Sequence, residues 1–460
     1  MNGMTDFWRR VRWSAFLAWH MRGQSRLPFL PPEQIRRLQA RRLRSMIDHA
    51  YRFVPYYRRT LDRMKLKPHD FRTVEDLARL PIIEPCQLQT QTLQFVSTAH
   101  PPREYTLLLT GGSTGDPRPV YHQASGIFLN AAHGERERCM VAALVGRRFG
   151  YRETVIISQN STAHTLQGFA ATRGLLPKGI AISRQYLSLM DPPEKNIPLI
   201  NQFRPDVIHT YGSYLETLFG HLARTGEPFH RPKVVTYSSD GLGEAAYRLI
   251  REQFGIPVLS TYQANEAFKI GFDCPHHLGL HLNIDLYPLR VVDSAGSDLP
   301  AGQTGEVVLS NLVNRAMVLL NYRLGDLAAM LDVACPCGRT LPLLSYPPGR
   351  SDDKILLPDG RCLHPQLART VFTTERDVFQ YQIVQHTPNR FEVKVITAPG
   401  ANQEVMKNRV EDEFRKRFGQ DVQVEVRFVD SIDRTRGGKF RPVICLCRQA
   451  GAPEGASHAS

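Results

Sequence analysis

The stretch Leu108-Leu-Thr-Gly-Gly-Ser-Thr-Gly-Asp-Pro-Arg118 decides how the rest of the chain is interpreted. Its glycines allow positive φ angles and a close approach of backbone N–H groups to an anion, and its hydroxyl groups add further donors. The apolar run from Tyr105 to Leu109 predicts a strand that leads into this loop. The pattern is typical of a loop that wraps a polyphosphate, and a polar hairpin turn is the alternative. The residues expected to face the anion are Thr110, Gly111, Gly112, Ser113, Thr114 and Gly115.

One common phosphate-binding loop is disfavoured by the residues that follow the last glycine. A Walker A loop ends in Gly-Lys-Ser or Gly-Lys-Thr, because its lysine reaches the terminal phosphates. Here Gly115 is followed by Asp116 and Pro117. The sequence therefore argues against a P-loop kinase or GTPase, and the loop requires another fold to carry it.

Further segments accompany this loop in one order and with consistent spacing along nearly the whole chain. They are Asp48-His-Ala-Tyr-Arg-Phe-Val-Pro-Tyr-Tyr-Arg58, Tyr262-Gln-Ala-Asn-Glu266, Tyr322-Arg-Leu-Gly-Asp326, Gly349-Arg-Ser-Asp-Asp-Lys-Ile355 and Thr435-Arg-Gly-Gly-Lys-Phe-Arg441. With these motifs the chain resembles the adenylate-forming (acyl-activating) superfamily, in its phenylacetate–CoA ligase, CapK and coenzyme F390 synthetase-like branch. Gly111 and Arg118 depart from the serine and lysine common in that loop.

The resemblance implies ATP-dependent activation of a carboxylic acid as an acyl-adenylate, followed by transfer of the acyl group to a thiol, with CoA as the expected acceptor. Two alternatives remain. One is an adenylyltransferase of the coenzyme F390 synthetase or CapK type, acting in cofactor or surface-polysaccharide metabolism. The other is a non-catalytic adenylate-binding protein, which the retention of Glu266, Asp326, Arg350 and Lys439 disfavours.

The resemblance also assigns roles to individual residues. It implies that Lys439 and Thr110 act in catalysis together with Glu266, which would also be the Mg²⁺ ligand because ATP-bound Mg²⁺ usually takes one or two protein carboxylates. Asp326 is expected to bind the ribose hydroxyls, with an Asx-turn as the alternative. The remaining nucleotide-binding residues would be Gly111, Gly112, Ser113, Thr114, Gly115, Ser239, Asp240, Gly241, Tyr262 and Arg350.

The organisation of the chain is predicted to be α/β, with a large N-terminal body and a smaller, mobile α+β C-terminal domain. We expect residues 1–349 to form the AMP-binding body, with a basic helical lead segment over 1–60, and residues 350–448 to form the lid. Asp352 is expected at the hinge, with an ordinary acidic linker as the alternative. Residues 449–460 are expected to be disordered. Asp326 is placed just after a strand-like run, Met317 to Tyr322.

Eight scattered cysteines without a secretory signal predict a reducing compartment and a cytoplasmic location. Cys335-Pro-Cys337 is a tight pair of thiols, and Cys274-Pro-His-His-Leu-Gly-Leu-His281 adds a thiol and three imidazoles. Cysteine and histidine are the ligands of structural zinc. The resemblance implies the set Cys274, His281, Cys335 and Cys337, with His276 or His277 as a competing fourth ligand and metal-free buried cysteines as the alternative.

The chain has 460 residues and a formal net charge of +14, and arginines of the N-terminal segment supply most of the surplus. No nucleic-acid-binding motif accompanies this charge, which favours phosphate-bearing small ligands as partners. From Phe7 to Arg22, tryptophans alternate with arginines, a pattern that fits either contact with an anionic membrane surface or packing on the body. The oligomeric state is left open, with a homodimer as one option.

Overall fold

The structure is a computed structural model of the chain. It describes residues 2–109, 118–158, 161–174, 182–347, 349–350, 355–359, 361–363, 368, 370–372, 375, 377–398, 400–434 and 440–447. The predicted phosphate loop (residues 110–117), the hinge residue Asp352, the lysine loop (residues 435–439) and the predicted disordered tail lie outside these ranges, so those predictions stay predictions. Within the described ranges, no helix has both the length and the apolar character needed to cross a lipid bilayer.

The helices cluster in the first half of the chain. They are α1 Asn2–Met21, α2 Pro32–Phe53, α3 Pro55–Arg63, α4 Pro85–Thr90, α5 Ala124–His133, α6 Glu135–Val145, α7 Thr162–Arg173, α8 Pro193–Phe203, α9 Gly212–Thr225, α10 Glu244–Arg248 and α11 Gln403–Phe418. A π-helical turn, Leu249–Gln253, continues α10. Short 3-10 turns occur at Leu27–Phe29, Pro68–Asp70, Val74–Arg79, Thr92–Gln94, Pro102–Glu104 and Thr370–Phe372.

The strands are short in the body and longer near the C-terminus. They are β1 Thr106–Leu109, β2 Pro119–His122, β3 Arg152–Ile157, β4 Ser183–Ser188, β5 Val207–Tyr211, β6 Val234–Ser238, β7 Val258–Ala264, β8 Phe268–Phe272, β9 Leu280–Leu282, β10 Leu289–Val292, β11 Gly305–Leu309, β12 Tyr322–Ala328, β13 Met330–Leu331, β14 Leu343–Leu344, β15 Gly349–Arg350, β16 Ile355–Leu356, β17 Cys362–Leu363, β18 Val378–Thr387, β19 Arg390–Thr397, β20 Gln423–Phe428 and β21 Val443–Cys445.

A nine-stranded sheet forms the centre of the large body, in the order β13-β14-β9-β8-β7-β6-β5-β3-β4. The five strands from β4 to β7 are parallel, and the other four are antiparallel. Buried parallel strands need apolar residues on both faces. The runs Val207–Tyr211 and Val234–Ser238 supply them and pack with helices α8 and α9 in one apolar cluster. The predicted α/β body is confirmed.

A second sheet, β10-β11-β12-β15, is antiparallel and carries Asp326 in the middle of β12. The prediction of a strand over Met317 to Tyr322 that ends before Asp326 is wrong. The strand begins at Tyr322, because Asn321 has a φ of 60° and interrupts the extended backbone. Residues Met317 to Leu320 are instead buried without being part of a regular strand.

The C-terminal part is an α+β layer, as the sequence predicts. Its sheet has the order β20-β19-β18-β21, and helix α11 packs on it through Met406, Val410 and Phe414. The layer touches the body where Phe379 of β18 lies against Gly220 of α9. Gln380 of β18 also donates a 2.9 Å hydrogen bond to the Glu216 carboxylate of the same helix.

A buried charge network attaches the N-terminal helices to the body. Arg136 of α6 and Asp285 are both fully buried, and their side chains are joined by hydrogen bonds of 2.7 and 2.9 Å. Arg42 of α2 also pairs with Asp285, and Gln24 accepts a 2.9 Å hydrogen bond from Arg136. Burial alone raises the pKa of Asp285, but the guanidinium groups of Arg136 and Arg42 outweigh it and hold that pKa well below its usual range.

We predict that Asp285→Asn lowers the free energy of unfolding by about 3–5 kcal/mol at pH 7, because it leaves buried guanidinium groups without their countercharge. The depressed pKa means that the stabilisation is complete above about pH 4 and is lost as the pH falls further. Denaturant unfolding at a series of pH values should therefore show the two proteins converging in acid.

Asp298→Asn is the matched control, because Asp298 forms an exposed ion pair with Arg290 and its loss should cost less than about 1 kcal/mol. An Asp285→Asn variant as stable as the Asp298→Asn control would contradict the role assigned to this network.

Candidate functional site

The residues that flank the phosphate loop both lie beside the segment that carries Glu266. On one side, Asn265 donates a 3.1 Å side-chain hydrogen bond to the carbonyl oxygen of Leu109, the last residue of β1. On the other side, Arg118 lies 3.5 Å from the Tyr322 hydroxyl. The β1–β2 hairpin therefore places both flanks of the loop near the carboxyl end of β7, which is followed by Glu266.

His122 of β2 fixes this hairpin from its second strand. Its Nε2 lies 2.8 Å from the backbone oxygen of Asn265, and its ring stacks on Phe268 at a centroid distance of 4.3 Å. Burial lowers the pKa of His122 to about 4, so the ring is neutral at pH 7 and Nε2 donates to that oxygen. The histidine is thus a structural donor that holds the hairpin to the β7–β8 turn.

Glu266 is a buried carboxylate at the centre of this group. The Tyr322 hydroxyl lies 3.5 Å from its Oε1, and Asn311 donates a 2.8 Å hydrogen bond to its backbone oxygen. The same Tyr322 hydroxyl is the group that Arg118 approaches. A carboxylate, a phenol and a guanidinium therefore lie together next to the loop that is expected to bind phosphate.

Asp326 lies beside Tyr262 on the neighbouring sheet. The Tyr262 hydroxyl donates a 2.7 Å hydrogen bond to the Asp326 carboxylate, which places two residues of separate motifs at one point. In the backbone register, Arg350 of β15 is opposite Asp326 of β12. Asp326 is inside a strand and bonded to a residue 64 positions away, so the Asx-turn alternative is wrong.

The turns after β5 and β6 pack tightly against each other. A Cβ at Gly212 would lie 2.4 Å from the carbonyl oxygen of Gly241, so only glycine fits there. Asp240 accepts a 3.1 Å hydrogen bond from the backbone N–H of Ser213 and a second bond from its hydroxyl. Ser239 has a φ of 77° and is exposed at the tip of the turn. The predicted residues Ser239, Asp240 and Gly241 therefore lie at the carboxyl ends of parallel strands, next to α9.

The residues that flank the lysine loop are attached to these same turns. Before the loop, Arg434 binds the Ser213 hydroxyl and lies 3.4 Å from the Thr217 hydroxyl. After the loop, the backbone N–H of Phe440 donates a 3.3 Å hydrogen bond to the Asp240 carboxylate. Burial raises the pKa of Asp240 and lowers the pKa of Arg434, while the attraction between the two charges opposes both shifts.

The predicted metal ligands come together in a single cluster. Donor atoms of Cys274, His281, Cys335 and Cys337 all lie within 4.8 Å of one another. The sulfurs of Cys274 and Cys335 are 3.5 Å apart, and Nε2 of His281 is 3.3 Å from the Cys337 sulfur. The competing His277 instead lies 2.7 Å from Asp273 and belongs to no such cluster among the described residues.

The protonation states of the cluster differ from member to member. Burial lowers the pKa of His281 to about 4, which leaves its ring neutral at pH 7. Burial also raises the pKa of Cys274 to about 12. At Cys337 burial acts in the same direction, but the N–H groups and positive charge of Arg339 outweigh it and lower the pKa of that thiol. Cys337 is therefore the thiol most readily ionised.

The structure thus describes Glu266, Tyr262 and Asp326 in one neighbourhood and Ser239, Asp240 and Gly241 in another. Lys439 and the predicted loop residues from Thr110 to Gly115 lie outside the described residues, and for Arg350 only the backbone register is described. From the sequence, no role was predicted for Tyr322, Ser213 or Arg434, although Tyr322 begins one of the motifs. Arg434 precedes the Gly-Gly-Lys motif by a few residues, and that position is the signal that could have identified it.

Fold and site define a class: a mixed α/β body with a smaller α+β layer, in which the flanks of two glycine-containing loops approach buried carboxylates. Residues 56–314 match the family model for AMP-binding enzymes, and residues 356–445 match that of the CapK C-terminal domain. The chain belongs to the AMP-binding enzyme family, in the phenylacetate–CoA ligase and CapK-like branch of the adenylate-forming superfamily.

The similarity to individual proteins extends over nearly the whole chain. A phenylacetate-coenzyme A ligase of Thermus thermophilus is 27% identical, over 92% of this chain and 99% of its own. A phenylacetate-coenzyme A ligase of Aromatoleum evansii is 25% identical, over 90% of this chain and 94% of its own length. A crystal structure of 2-hydroxyisobutyryl-CoA ligase in the postadenylation state has the same fold, with a TM-score of 0.70 and 19% sequence identity. The similarity covers 91% of this chain and 90% of that one.

Proposed function

We propose that the chain is an AMP-forming ligase that activates a carboxylic acid with ATP and transfers the acyl group to the thiol of CoA. The observation that carries this proposal is the attachment of both loops to the carboxyl ends of β5, β6 and β7. The phosphate loop is flanked by contacts to Asn265 and Tyr322, and the lysine loop by contacts to Ser213 and Asp240. The phenylacetate-coenzyme A ligases, which cover 90% or more of this chain, support the same activity.

The first half-reaction joins two anions, so the protein must neutralise charge that develops on the α-phosphate. A carboxylate oxygen forms a bond to the α-phosphorus while the bond from that phosphorus to the pyrophosphate oxygen breaks. The N–H and hydroxyl groups of the phosphate loop would hold the phosphates, and Asp326 would hold the ribose. Lys439 would contact the carboxylate oxygens of the acid and the oxygens of the α-phosphate. Glu266 would hold Mg²⁺, which supplies further positive charge to the phosphates.

The second half-reaction replaces AMP with sulfur. The CoA thiol loses its proton to solvent, the sulfur forms a bond to the acyl carbon, and the bond from that carbon to the AMP oxygen breaks. Lys439 is assigned to the first step alone, where the carboxylate meets the α-phosphate. We propose that the C-terminal layer rotates about Asp352 between the two steps and withdraws the lysine loop.

A second candidate is an adenylyltransferase that stops at the AMP ester. It is favoured by the match of residues 356–445 to the CapK C-terminal domain. Release of AMP and pyrophosphate from ATP, measured across aryl, fatty and hydroxy acids with and without CoA, separates the two. CoA-dependent AMP release with one class of acid supports the ligase. Pyrophosphate release with no CoA dependence supports the adenylyltransferase. ATP binding without turnover of any acid would contradict the ligase and favour a specialised adenylyltransferase or a non-catalytic adenylate-binding protein.

The cysteine cluster fits structural zinc, and we propose that Cys274, His281, Cys335 and Cys337 bind one Zn²⁺. Two thiolates bound to zinc at 2.3 Å in a tetrahedron lie about 3.8 Å apart, close to the 3.5 Å between Cys274 and Cys335. Bound zinc would tie the turn between β13 and β14 to β9. Four protein ligands leave no open position for a substrate, so the role of the metal would be structural.

We predict that Lys439→Ala lowers acid-dependent exchange of pyrophosphate into ATP by at least about a hundredfold, because a cation is lost where negative charge develops. Binding of ATP should change little, as isothermal titration calorimetry would show. Lys407→Ala, which removes an exposed lysine of α11, is the control and should exchange normally. An unchanged exchange rate in Lys439→Ala would remove the assignment of this lysine.

We predict that Arg434→Ala slows adenylation about ten- to a hundredfold, because the residue entering the lysine loop loses its contacts to Ser213 and Thr217. Thioester formation from a chemically synthesised acyl-adenylate should stay within about twofold of the unaltered protein. Arg427→Ala, on the exposed face of β20, is the control. If the rates of both half-reactions fell equally, Arg434 would have a general structural role, and its assigned role in positioning the lysine loop would be contradicted.

We predict that the purified protein contains one zinc per chain and that Cys335→Ser lowers both its zinc content and its midpoint of thermal unfolding, because the tetrahedron loses a ligand. Cys86→Ser, which changes an exposed cysteine outside the cluster, should affect neither quantity. Elemental analysis and calorimetry measure them. Full zinc content in Cys335→Ser would contradict the assigned ligand set.

A further inference from the structure

Helix α1 has one face that is already used for packing. Trp13 stacks on Phe128 of α5, with ring centroids 4.6 Å apart and ring planes 8° from parallel. Phe16 and Leu17 join the same apolar cluster, and Arg10 donates a 3.0 Å hydrogen bond to the carbonyl oxygen of Gly174 beyond α7. The expectation that this helix packs on the body is therefore confirmed for one of its faces.

The opposite face of α1 is exposed and is also apolar. Trp8 and Trp19 are 63% and 67% exposed, and eleven residues, close to three helical turns, separate them, so both lie on the same side. Phe7 is 52% exposed, and Ala15 and Ala18 are exposed between the tryptophans. A helix face in contact with water normally carries polar residues, so this outer face requires an apolar partner.

The charge around the outer face is strongly positive. Arg12 is exposed on this face, and Arg22 is exposed directly after the helix, with its guanidinium 5.2 Å from the Trp19 ring centroid. Residues 1–60 contain thirteen arginines and three acidic residues, so this segment supplies +10 of the net charge of +14. Four of these thirteen arginines are exposed on the following helix, α2: Arg36, Arg37, Arg41 and Arg44.

We propose that the outer face of α1 docks on the surface of a membrane that contains anionic phospholipid. Tryptophan rings prefer the boundary between headgroups and acyl chains, and arginines beside them reach the phosphate groups. Trp8 and Trp19 would therefore lie at the boundary between headgroups and acyl chains, and Arg12 and Arg22 beside them would lie at the level of the phosphate groups. The helix would lie in the plane of the surface, with the body held next to it.

The position of the tryptophans makes a direct test available. Trp8, Trp13 and Trp19 are all the tryptophans of the chain, so the intrinsic tryptophan fluorescence of the full-length protein reports on α1 alone. Vesicles of phosphatidylcholine mixed with phosphatidylglycerol should sediment the protein and shift this emission to shorter wavelength. Vesicles of phosphatidylcholine alone should do neither, and added salt should weaken the binding.

Two variants separate the apolar and the charged contributions. Trp8→Ser with Trp19→Ser should abolish sedimentation, while Arg12→Gln with Arg22→Gln should weaken it about tenfold. Leu93→Ser with Met190→Ser removes exposed apolar side chains elsewhere, 61% and 60% exposed, and should bind like the unaltered protein. Thermal unfolding should show that every variant is folded, because all the substituted side chains are exposed.

Three results would overturn the proposal. Absence of sedimentation with the anionic vesicles is the first, and equal binding to both kinds of vesicle is the second. The third is that the unaltered protein does not bind vesicles but self-associates in solution, as measured by analytical ultracentrifugation, and that Trp8→Ser with Trp19→Ser abolishes this self-association. That outcome would make a second copy of the chain the occupant of the face.

Discussion

Two glycine-containing loops, far apart in sequence, are held at their flanks by polar groups at one edge of a sheet, and the proposed chemistry depends on this constraint. The carboxyl ends of the parallel strands β5, β6 and β7 carry Ser213, Asp240 and Glu266. Because the side chains that follow such strands converge on a crevice, a ligand there can be contacted by several loops at once. A loop that brings donors and a loop that brings a cation can therefore act on the same phosphate.

Among the described residues, the C-terminal layer is attached to the body mainly by hydrogen bonds. Arg434, Phe440 and Gln380 reach α9 and the turn after β6, and Phe379 packs against Gly220. Such contacts can separate without exposing a large apolar core, which is compatible with the rotation proposed above. By contrast, the fully buried pair of Arg136 and Asp285 fixes the N-terminal helices, so α1 is a stable platform for its outer face.

Much of the architecture could be predicted from the sequence, because short β-branched apolar runs such as Val207 to Thr210 are typical of buried strands, and the motif order indicates the family. The four members of the cysteine cluster were implied by the resemblance to the family, whereas residue types alone left His276 or His277 as a competing ligand. The position of Asp326 relative to its strand was predicted wrongly. A positive φ at Asn321 interrupts the extended backbone before Tyr322, and the amino-acid composition does not reveal such a backbone angle. Arg434 and Ser213 were missed because their contact joins residues 221 positions apart.

The most direct test of the central claim follows the carboxylate oxygens of an accepted acid. If the acid attacks the α-phosphorus, an acid labelled with ¹⁸O in both carboxylate oxygens should yield AMP that carries one ¹⁸O atom per turnover with CoA, as mass spectrometry would measure. The thioester should retain the other label. Label in inorganic phosphate, or AMP that carries none, would show that no acyl-adenylate forms and would contradict the account.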